Sequence, residues 1–143
     1  MAEVMAGFVC GFALSIAATP IAAILIVRAR VTSPLMRQIV PEGTSLIAVS
    51  VLLHTFFMLT MTAIGLLLGM LLTGLESSSP ASGLGSPNRA FTAFVLIATA
   101  IAVLPLAVAS AKLRMPFMIG GLIFVATFAW FMPYLASWSP IES

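Results

Sequence analysis

Three side chains with chemistry to offer stand in a row on one apolar stretch: His54, Met58 and Met61, at spacings of four and three. On a helix, residues so spaced share a face. An imidazole beside two thioethers is a soft donor set that suits Cu(I). His54 is the only histidine of the chain, so as an axial haem ligand it would need its second axial ligand from another subunit. The simpler expectation is a buried neutral ring with no resident cofactor. It would be satisfied by Ser50, one turn earlier, or by a hydroxyl or carbonyl on another helix.

The element that must carry this row is the uncharged run over residues 44–74. It is well beyond the roughly 18 apolar residues that mark a membrane-spanning helix. Gly65 and Gly69 continue the same side. Three further runs, over residues 4–27, 91–111 and 117–138, are each long enough to cross a hydrocarbon layer of about 30 Å as a helix. The runs are continuous rather than alternating, which speaks against strands and a barrel. The expected fold is therefore all-α: four transmembrane helices in a compact bundle of two helical hairpins, one domain over residues 1–143.

Composition supports lipid as the solvent. Of the 143 residues, 62% are hydrophobic and 7% charged, and the mean hydropathy is +1.22. Soluble domains carry about 25% charged residues. The net charge of +2 arises from six basic and four acidic side chains, too few to track a phosphate backbone, so nucleic acid is excluded as a partner. The single cysteine, Cys10, rules out an internal disulfide or a multi-cysteine metal cluster and reads as a small hydrophobe. The opening MAEVMAG has an acid and no basic residue, unlike a secretory signal.

Charge placement predicts topology. Arg28, Arg30 and Arg37 follow the first span, and Lys112 and Arg114 lie between the third and fourth. The positive-inside rule puts loops 28–43 and 112–116 in the cytoplasm of a prokaryotic plasma membrane, with both termini and the Ser/Gly/Pro-rich second loop outside. The first loop, with Pro34 and Pro41, reads as a segment at the membrane surface. A faint parallel repeat, Pro20 before Arg28 and Pro105 before Lys112, has no other matching positions.

Packing faces are legible too. Gly7, Gly11, Ser15, Ala18 and Ala22 form a small-residue stripe on the first span, and Gly65 and Gly69 form a second on the next. Small residues let helix backbones approach closely where lipid removes the hydrophobic drive. Ala98, Ala102, Pro105 and Ala109 give the third span a similar row. The fourth carries Phe117, Phe124, Phe128 and Phe131 on one stripe and Trp130, Tyr134 and Trp138 on another, the last two suited to the interfacial belt.

Absences narrow the function. No Asp, Glu, Lys or Arg lies inside the four runs, whereas ion-coupled transporters and pumps rely on an ionisable relay at membrane depth. No paired carboxylates, Ser/His/Asp set or phosphate-binding Gly loop is present, so an enzyme is not expected. The expectation is a non-catalytic subunit or assembly factor of a larger membrane complex, in contact with membrane lipids and other membrane subunits. The competing class is a small transport or cofactor-binding protein using the His54, Met58 and Met61 face for copper, haem or a neutral apolar substrate such as lipid or quinone. A third is a lipid- or quinone-contacting module built on Trp130 and the phenylalanine stripe.

Overall fold

The computed structural model describes residues 1–32, 34, 38, 43–78, 88–109 and 114–137. Arg37, Lys112 and Trp138, half of loop 28–43 and residues 79–87 of the second loop lie outside the described residues. Helix α1 runs Ala2–Thr32, α2 Leu46–Ser78, α3 Arg89–Ala109 and α4 Arg114–Val125. A π-helical segment, Ala126–Phe131, and the short α5, Met132–Ser137, continue α4 without a break. Four helical stretches are long and apolar enough to cross a membrane: Ala2–Arg28, Leu46–Leu75, Arg89–Ala109 and Arg114–Ser137. No strand occurs among the described residues.

Local chemistry sets the helix starts. Gly43 adopts φ +97°, a left-handed conformation that favours glycine. It turns the chain two residues ahead of Ser45, whose hydroxyl accepts the Ala48 N–H at 3.1 Å. The Asn88 side chain accepts the N–H groups of Ala90 and Phe91 at 3.1 and 3.3 Å. Both are N-caps that satisfy donors left over by the first helical turn. Within the helices, Thr55, Thr99 and Thr127 return their hydroxyls to carbonyls four residues back. In an apolar surround this removes the penalty of an unmet donor.

Three prolines within helices behave differently. Pro20 and Pro105 sit inside uninterrupted α-helix. Pro133 follows the π segment, where the Met132 N–H bonds the carbonyl of Thr127, five residues back. Proline supplies no N–H to the Ala129 carbonyl four residues before it. Thr92 of α3 donates its hydroxyl to that carbonyl at 3.4 Å instead. The wider turn also brings Phe128, Ala129 and Met132 into the core together, as an inserted residue in a π-bulge does.

That core is at one end. Ala6 and Cys10 of α1, Leu72 of α2, Phe91 and Val95 of α3, and Phe128, Ala129 and Met132 form one buried cluster. Leu14, Leu68, Leu75 and Phe124 pack around it. All belong to the half of the molecule away from Arg28 and Arg114. Toward the basic end the burial changes. On α1 the face that carries Cys10 continues through Ala17, Ile21 and Ile24, all exposed. On α3 the side that carries buried Phe91 continues through Ala98, Ala102, Pro105 and Ala109, all exposed.

Candidate functional site

The site begins with the contact between α1 and α2. A Cβ placed on Gly7 would fall inside the carbonyl of Gly65, and one on Gly65 inside the carbonyl of Gly7. A Cβ on Gly11 would meet the Met61 carbonyl in the same way, and one on Gly69 would come within 2.6 Å of the Glu3 carbonyl. The partners step four residues up α1 for every four down α2, as antiparallel helices require. Backbones touch here, with Cα hydrogens directed at carbonyl oxygens, a weak contact that recurs at helix interfaces. Thr73 adds a hydroxyl contact to the Glu3 carboxylate at 3.4 Å.

Beyond Gly11 the small residues give way to polar ones. Ser15 is fully buried and returns its hydroxyl to the Phe12 carbonyl at 2.7 Å. One turn on, Thr19 is 8% exposed and its hydroxyl lies 2.7 Å from the Ser15 carbonyl. The same oxygen lies 3.2 Å from Nδ1 of His54 on α2. Thr19 therefore occupies the partner position for which the sequence offered Ser50; no hydrogen bond joins Ser50 to the ring among the described residues. The second sequence-level option, a hydroxyl from another helix, is the one present.

The hydroxyl of Thr19 has a single proton for two neighbours. The 2.7 Å contact matches an ordinary O–H···O bond, so that proton goes to the Ser15 carbonyl. The imidazole then donates its Nδ1–H to Thr19, and Nε2 keeps its lone pair. No hydrogen bond reaches Nε2 among the described residues. His54 is half-buried, as is Met61, while Met58 is 38% exposed. All three share the α2 sector that Gly65 turns toward α1.

The α1 stripe departs from its expected course after Ser15. Gly7, Gly11 and Ser15 are buried, but Ala18 and Ala22 are half-buried, and the buried row continues through Thr19 and Ala23. A row that keeps to steps of four inclines across the helix, the geometry of ridges packed at an angle. Keeping the step of four past Ser15 would have found Thr19. Arg28 and Arg114 are exposed and Arg30 is half-buried. Cys10 is in the shared core, away from the row facing α2. Among the described residues, no group of three His, Cys, Asp or Glu side chains is arranged to hold a metal.

The arrangement offers one oriented imidazole, the Thr19 hydroxyl beside it and two thioethers on the same face of α2. Comparison of the chain with protein-family models, with curated proteins and with solved structures returned no match to any of them.

Proposed function

We propose that this chain is a four-span integral protein of a prokaryotic plasma membrane that serves as a non-catalytic subunit or assembly factor of a larger membrane complex. In this reading α1–α2 and α3–α4 are two helical hairpins, the Arg28 and Arg114 ends face the cytoplasm, and both termini lie outside. Helix α2, about 50 Å long, tilts or projects past one interface.

The observation that carries the reading is the bare row on α3. This protein joins α1 to α2 through small residues in register, yet Ala98, Ala102, Pro105 and Ala109 are exposed. In lipid, a small-residue row is where another helix backbone fits closely. One further feature supports it: no Asp, Glu, Lys or Arg lies inside the four apolar runs.

Affinity purification in mild detergent tests the reading when paired with Ala102→Leu. The parent chain is expected to bring down a membrane partner in constant ratio. The variant should fold with unchanged helical circular dichroism and lose that partner. A parent protein that purifies alone, or a partner held equally by Ala102→Leu, contradicts the reading.

A further inference from the structure

We propose that His54, Met58 and Met61 form a binding site for a single Cu(I) ion in the α1–α2 interface, with Thr19 holding the ring that supplies the first ligand. This goes beyond the subunit reading and does not depend on it.

The ring is prepared on one side and open on the other. Nδ1 is tied to Thr19, and Thr19 to the Ser15 carbonyl. Metal-binding imidazoles characteristically donate their second ring N–H to such a partner, which fixes the tautomer and raises the basicity of the ligating nitrogen. Nε2 is left with a lone pair and no hydrogen bond among the described residues. An unmet nitrogen in an apolar span is unfavourable, and a bound ion would relieve it.

The neighbours narrow the ion. His54 and Met58 stand four apart and Met58 and Met61 three apart on α2, the spacings at which side chains of one helix are surface neighbours. Across the interface, Gly11 presents no side chain and Ser15 a short one. Thioether sulfur selects soft ions, Cu(I) foremost. Charge selects the same ion. Neither residues 4–27 nor residues 44–74 contain a carboxylate, and the penalty for an uncompensated ion grows with the square of its charge. A divalent ion would therefore meet roughly four times the penalty of a monovalent one. Haem is disfavoured by the packing. The helix backbones touch at Gly11 and Met61, two turns from His54, leaving no slot between the pair for a flat macrocycle.

The test is anaerobic titration of the purified full chain with Cu(I) against a chromophoric Cu(I) chelator. One ion per chain is expected. It should be lost in His54→Ala, and weakened at least tenfold in Met58→Leu and in Met61→Leu, variants that conserve side-chain bulk and hence folding. Thr19→Val should weaken binding 10- to 100-fold, the usual effect of removing an outer partner, and Thr19→Ser should restore most of it. Two results overturn the proposal. One is no Cu(I) bound by the folded parent. The other is binding unchanged in His54→Ala, which would assign the ion to methionines elsewhere, such as Met1 and Met5 at the outer end.

Discussion

Helices α1 and α2 meet backbone to backbone, whereas α3 and α4 meet through side chains. In the first pair, a methyl group on Gly7, Gly11 or Gly65 has no space at all. In the second, a Cβ on Gly121 would lie 3.1 Å from a methyl of Val103 and 3.5 Å from one of Thr99. Those atoms end short side chains that can shift. One residue earlier, Gly120 has nothing within 4 Å of its missing Cβ. Glycine thus means different things along this chain: an obligatory contact in α1–α2, a tolerant one at Gly121, and open surface at Gly120. The first pair is built as a fixed unit. The second has a face to spare.

Substitutions that break this contrast can be ranked. Gly65→Leu drives a branched side chain into the α1 backbone, so the α1–α2 pair should fail to form. Helical content should persist, because each helix is apolar enough to stay in lipid, but the resistance of tertiary structure to SDS should vanish. Phe128→Ala should follow, at about 2 kcal/mol in SDS-driven unfolding. Lipid cancels much of the transfer term for a ring of this size, and the loss is mainly the cavity left in the shared core. Thr19→Val breaks the Thr19–His54 bond and should cost about 0.6–1 kcal/mol, the lower part of the range for interhelical hydrogen bonds in lipid. Gly120→Ala should change stability by only a few tenths of a kcal/mol, toward greater stability, since it adds helix propensity and meets nothing. A Gly120→Ala loss as large as that of Phe128→Ala would erase the contrast between open and closed glycines.

Four long apolar helices were legible in the sequence because uninterrupted apolar runs leave few alternatives. The helix ends moved by one to five residues, since capping by Ser45 and Asn88 and helix continuing past Arg28 are local effects that hydropathy does not register. Gly7, Gly11, Gly65 and Gly69 stood out as packing residues from their spacing alone. Their partners did not, because register between two helices is a property of the pair. The same limit hid Thr19: a threonine returning its hydroxyl to its own helix is commonplace, and only α2 makes it the ring's neighbour. The π segment was also invisible. Pro133 leaves the Ala129 carbonyl without its helical donor, but Thr92, which donates to that carbonyl, lies 37 positions away from it in sequence.

Orientation is checked separately by topology reporters placed at Ser79 and Arg114. They should report opposite sides of the membrane, with Arg114 cytoplasmic; two reporters on one side would contradict the arrangement.

The most direct measurement of the central claim is photocrosslinking in intact membranes from position 102 on α3, with position 122 on α4 as the control. Ala102 and Leu122 are both exposed in the isolated chain, but only the first lies on the small-residue row. A subunit that docks through α3 predicts a defined protein adduct from position 102 and lipid adducts alone from position 122. Lipid adducts alone from both positions would contradict it.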